Sequence, residues 1–173
     1  MTSAAPISGA LLSFDGLQNG EQVLTFYAGG LGGNGSGPGP DYGISFTDGL
    51  AADPTEIAFG PSAVMTAPSV TMNLDSPSSQ ILSFYFVGNG TVSFYSGPNA
   101  SGNLLQSSAL VYPPFFPFGA QPGPFESVVL TSSGGLRVDS ISLGSSSVIP
   151  EPSMAILAFA GMILIASWKR FAC

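Results

Sequence analysis

Most of the side chains in this sequence that could do chemistry are carboxylates. The chain has no histidine, and its one cysteine, Cys173, is the last residue. Ser-His-Asp and Cys-His nucleophilic sites are therefore excluded, as are most zinc sites, which draw on His and Cys ligands. A facing pair of carboxylates can hydrolyse glycosides. With nine acids scattered ahead of Pro150, however, a suitable separation arises by chance, so the residues point to a protein that is not an enzyme. Asp15 and Asp139 stand near the two ends of the body. Where the first and last strands of a β-domain meet, such a pair offers oxygens to calcium, which takes oxygen ligands. The structural alternative is that Asp15 opens the turn Asp15-Gly16 and Asp139 marks a bulge. No other cofactor is implied.

Binding is the other chemistry open to these residues. The stretch YPPFFPFGAQPGPF, residues 112–125, has too many prolines for regular ladder bonding and too many aromatics to be left in water together. It is expected either to fold over one open end of the domain or to expose a ligand edge formed by Tyr112, Phe115, Phe116 and Phe118. A sugar site would rely on tyrosines, because the only tryptophan, Trp168, is in the tail. The glycine-rich stretch 29–43 is followed by no lysine and opens no helix, so it is not a phosphate-binding loop. It is expected to be a long flexible connection on the rim. Asn34-Gly35-Ser36, Asn89-Gly90-Thr91 and Asn99-Ala100-Ser101 match glycosylation sequons and serve equally well as turn chemistry.

Charge narrows the partners. Nine carboxylates precede Pro150 and face Arg137 alone. Phosphate recognition rests on Lys and Arg, so nucleic acid is excluded as a partner. Only 8% of the residues are charged, while Gly 23 and Pro 15 are frequent; the surface must be covered by small neutral polar groups, as suits a β-protein with many tight turns.

The elements that position these residues are strands. Short runs of β-formers between Gly, Pro, Asn and Ser clusters predict strands at 11–15, 22–28, 43–48, 55–59, 69–74, 80–87, 91–96, 104–112, 126–132 and 136–143, with no helix among them. Val70, Met72 and Leu74 alternate with polar residues, which describes a strand buried on one face. Asn89-Gly90 between ILSFYFV and TVSFYS predicts a two-residue hairpin. In 136–143 the apolar phase slips between Val138 and Ile141, and a bulge near Asp139 and Ser140 would restore one buried side. The expected fold is all-β, a two-sheet antiparallel sandwich of jelly-roll type, followed by a single C-terminal transmembrane helix.

The tail supplies that helix. From Met154 to Trp168 the residues are apolar except Gly161 and Ser167. Ser153 to Lys169 as a helix spans roughly 25 Å, slightly less than the hydrocarbon layer. Pro150 and Pro152 end the preceding structure, and Trp168, Lys169 and Arg170 suit the interface and the cytoplasmic side. The organisation that follows is an N-terminal segment 1–9, a β-sandwich ectodomain 10–145, a linker 146–152 and a transmembrane segment with a basic stop, 153–173.

Pro150-Glu151-Pro152-Ser153, the apolar segment and the terminal Lys169-Arg170 together resemble the PEP-CTERM sorting signal. FDGL, VSFYSGPNASGNLLQSSAL and VDSISLG resemble, more loosely, the β-sandwich ectodomains of the same family. The resemblance implies an exported protein, held at the inner membrane by its tail until an exosortase-type protease recognises the Pro150–Ser153 motif. It also implies a destination at the cell surface or in extracellular matrix, with a structural or adhesive role linked to extracellular polysaccharide. A carbohydrate-binding module, with or without calcium, is the alternative. Met1 to Phe14 has neither a basic region nor a seven-residue apolar stretch, so the expectation is a secretion signal upstream of this start or, against the charge rule for Lys169 and Arg170, a tail-anchored cytosolic protein.

Overall fold

The computed structural model describes residues 9–48, 68–111, 117–120 and 122–144. Among them the chain forms seven antiparallel strands and no helix: β1 Ala10–Leu12, β2 Ile44–Thr47, β3 Ser69–Ser78, β4 Ile81–Tyr95, β5 Leu104–Leu110, β6 Pro117–Ala120 and β7 Phe125–Gly144. The all-β expectation holds for these residues. The predicted strand at 55–59 and the membrane segment lie outside them.

Two long strands organise everything else. The chain β2-β3-β7-β4-β5 makes one side of the sheet, and β1 joins β7 while β6 joins β4. The first part of β7, Thr131 to Phe125, pairs with β3, whereas Leu143 to Ile141 pairs with β1. The second part of β4 likewise pairs with β5, and its first part with β6. A single antiparallel sheet therefore runs through β4 and β7 and curls along them. Its concave side holds one core to which both parts contribute, with Phe14, Phe84, Phe94 and Phe125 among the fully buried side chains.

The predicted hairpin at Asn89-Gly90 is corrected by this arrangement. Residues 81–95 are one strand, with Asn89 opposite Gly134 and Gly90 opposite Ser132. Register shifts flank Asn89, and at each of them β7 carries one residue more than β4. An extra residue in one strand bends it and increases its twist, which is how a sheet this long can curl. The apolar phase explains why the chain does not turn here. Leu82, Phe84 and Phe86 are buried, and so are Val92 and Phe94, all at even positions. A two-residue turn would set Phe86 opposite Ser93 and split that set across two faces.

The slip in the last strand resolves as expected. Between Ser83 and Tyr85 the partners move from Ser142 to Asp139, and Ser140 adopts φ 51. With one residue absorbed there, Leu136, Val138, Ile141 and Leu143 are all buried. Region 22–28, by contrast, is not a strand. It folds as successive turns in which Phe26 N–H donates to Val23 C=O at 3.1 Å and Ala28 N–H to Thr25 C=O at 2.8 Å. The spacing of Val23, Phe26 and Tyr27, all buried, fits a turning chain better than a period of two.

Candidate functional site

Asp15 follows β1 and Asp139 lies in β7, the first and last strands, which pair with each other. Pairing of Leu12 with Ile141 carries the chain on to Asp15 from one strand and back to Asp139 from the other. Both carboxylates act on the phenol of Tyr27, whose hydroxyl accepts the Phe14 N–H at 2.5 Å. Burial pushes the Tyr27 phenol well above its ordinary range; the Phe14 N–H opposes this, and the negative potentials of Asp15, Tyr42 and Asp139 add to it. Asp15 is exposed and Asp139 buried. Asp139 Oδ1 accepts the Ser140 N–H at 2.5 Å, so part of its coordinating capacity already serves the bulge. Among the described residues no three His, Cys, Asp or Glu side chains are grouped to hold a metal ion. The pair fits the turn and bulge roles better than a calcium cage, which needs six or more oxygens.

A second carboxylate organises the glycine-rich stretch. Glu21 is fully buried. Its carboxylate accepts backbone N–H groups from Gln18 at 2.7 Å, Asn34 at 2.7 Å and Ser36 at 3.1 Å. Burial alone would raise its pKa; the Ser36 hydroxyl together with the N–H groups of Gln18, Ser36 and Asn34 outweighs it and holds the carboxyl at about 2. Further bonds, Gly33 N–H to Gln22 C=O and Tyr42 N–H to Tyr27 C=O, fasten residues 29–43 onto 21–28. The flexible rim connection expected here is instead a folded loop. Gly32 has to be glycine, since a Cβ there would stand 2.4 Å from Glu21 Oε1. Sequence reasoning missed Glu21 because an isolated acid among polar neighbours carries no signal of burial.

The aromatic stretch divides. Tyr112, Phe115 and Phe116 lie outside the described residues. Phe118 does not form an open edge: it sits in β6 opposite Phe84, is half-buried, and packs on that ring at 5.0 Å between centroids. The prolines do not prevent pairing here, because β6 joins the sheet as an edge strand, where a missing N–H costs little. Of the tyrosines on which a sugar site would rely, Tyr27 is buried, Tyr42 stacks on it at 6.2 Å and 10°, and Tyr85 and Tyr95 face outward.

The convex side of the sheet is chemically distinctive. Cross-strand register places Thr47, Thr71, Val129, Ser93 and Ser107 in one row across five strands. A parallel row runs Ser69, Thr131, Thr91 and Ala109. The Ser93 and Ser107 hydroxyls meet at 2.9 Å. Beside these rows the turn between β4 and β5 folds back over the sheet. Asn99 N–H donates to Asn73 Oδ1 at 2.7 Å, Ala100 N–H to Ser127 Oγ at 3.0 Å, and Ser127 Oγ–H to Gly97 C=O at 2.6 Å. Tyr95 and Leu104, paired across strands, flank that turn, and Leu104 is 56% exposed.

Pro150 to Ser153, Trp168, Lys169 and Arg170 are outside the described residues. Among the described residues no helix is long and apolar enough to cross a membrane. Compared with known proteins, the chain matches no family model and no curated protein.

Proposed function

We propose that this is an exported, non-enzymatic protein whose curled sheet forms a two-layer sandwich of jelly-roll type and whose C-terminal segment is a removable sorting signal. The tail spans the inner membrane until an exosortase-type protease cuts near Pro150 to Ser153, and the domain then serves a structural or adhesive role at the cell surface or in the polysaccharide matrix. The observation that carries this reading is the order of the tail: a Pro-Glu-Pro-Ser motif, an apolar segment long enough for a thin bilayer, then Lys169-Arg170, all directly after an all-β domain. The absence of histidine and the placement of Cys173 beyond the apolar segment support a non-enzymatic role.

A second reading, a carbohydrate-binding module, is favoured by one feature, the neutral hydroxyl rows on the convex face. The sorting reading is tested by the intact mass of the protein recovered from culture fluid and from membranes of a producing cell. A secreted form ending between about Pro150 and Ser153 is the expected result. A full-length chain found only in the cytoplasm would overturn it.

A further inference from the structure

The two convex rows present Thr47, Ser69, Thr91, Ser107 and Thr131 to solvent, all exposed, and neither row holds a charged side chain. We propose that this face binds an extended neutral polysaccharide chain, laid along the rows and across the strands, with its edge against the turn Ser96 to Asn103. The inference deepens the matrix role above and rests on it only for where such a polymer is met.

Three properties of the face select that occupant. Hydroxyls both donate and accept, so rows of them match a polyhydroxylated ligand whichever way its own hydroxyls turn. Strands lie about 4.8 Å apart, so the five-strand row spans about 19 Å, with hydroxyls on four strands and Val129 on β7, a run long enough for several sugar units. Tyr95 and exposed Leu104 add apolar surface beside the wall, suited to the C–H faces of sugar rings. A charged polymer finds no counter-charge in these rows. A second copy of the chain brings its own net charge of −7, which opposes close approach. The floor is regular sheet, and the wall is fixed by its bonds to Asn73 and Ser127, so little ordering is needed on binding.

The test uses the full chain in detergent micelles. Retention is measured on microcrystalline cellulose and chitin, and mobility in gels carrying a soluble neutral β-glucan or, for comparison, anionic alginate. The expected result is retention by at least one neutral polymer and none by alginate. Thr91→Glu and Thr131→Glu should each weaken retention by about tenfold or more, while Gln22→Glu, an exposed position outside the face, should leave it unchanged. The double variant Thr91→Ala/Thr131→Ala, which adds no charge, should weaken it as well, with an unchanged melting temperature showing that the fold is intact. Failure of all neutral polymers, equal retention of the face variants, or preference for alginate would overturn the proposal. So would a dimer in sedimentation equilibrium that Thr131→Glu dissociates, which would give the face to a second copy. Sorting is read from the mature mass alone, so either result can fail without the other.

Discussion

Glu21 Oε1 accepts the Asn34 N–H at 2.7 Å across thirteen positions of chain, and this bond is the centre of the clamp that gives the glycine-rich loop its shape. The carboxylate suits the task because it accepts several donors at once and donates none. Its low pKa measures how strongly those donors favour the charged form.

Glu21→Gln should therefore destabilise the domain, by about 1 to 3 kcal/mol, because the amide turns an NH2 toward N–H groups that need an acceptor. The folded carboxyl titrates at about 2 against an ordinary 4.5. A depressed pKa contributes stability that is complete above the ordinary value and is lost as pH falls toward the folded one. In denaturant melts, the gap between the natural chain and Glu21→Gln should be constant near neutrality and narrow as pH drops from about 5 toward 2. A gap that does not change with pH would show that the charge is irrelevant to the clamp.

Tyr27 behaves with the opposite sign. Its phenol is held above its ordinary value of 10.0, so the stability it contributes is complete below that pH and declines as pH rises past it. Tyr27→Phe leaves the buried Phe14 N–H without its acceptor, at an expected cost of about 1 to 3 kcal/mol at neutral pH. Between pH 9 and about pH 11 the variant should lose less stability than the natural chain. Chemical melts across that range read both effects.

Gly90→Ala tests the continuous strand. A Cβ on Gly90 would stand 2.2 Å from Thr131 C=O and 2.9 Å from a Leu136 methyl. In a strand packed against β7 this forces a backbone shift, and the variant should lose about 1 to 3 kcal/mol. In a solvent-facing hairpin turn the same change would meet no such neighbours. A melting temperature unchanged from the natural chain would restore the hairpin.

How far the fold could be read in advance varied with the kind of signal. The bulge at Ser140 was legible because Val138 and Ile141 are three positions apart, and only an absorbed residue puts both in the core. The same reasoning, applied across Asn89, would have rejected the hairpin: Phe86 and Val92 keep phase through Gly88-Asn89-Gly90, as one strand requires. Local turn chemistry was strong there, and the long-range phase was stronger. Glycines supply close approach as readily as they supply turns, and Gly90 is needed for approach. The turns at 22–28 were hidden because Val, Leu, Thr, Phe and Tyr all favour strands by composition, while their burial follows another spacing. The convex face was the least legible part. Each of its hydroxyl residues is unremarkable in the sequence, and only the register of five strands sets Thr47 beside Thr71, and Ser93 beside Ser107, in one row.

Strand β7 is paired with β4 along one flank for nearly its whole length and with β3 and β1 on the other flank toward its two ends, and the chain leaves it at Gly144 toward the tail. Thr131, in the convex rows, lies on the same strand. A domain gripped at that face and tethered from beyond Gly144 would carry tension lengthwise through its central strand, so that many ladder bonds must yield together instead of peeling open one by one. Such a geometry would resist lengthwise pulling better than an edge strand of the same sheet.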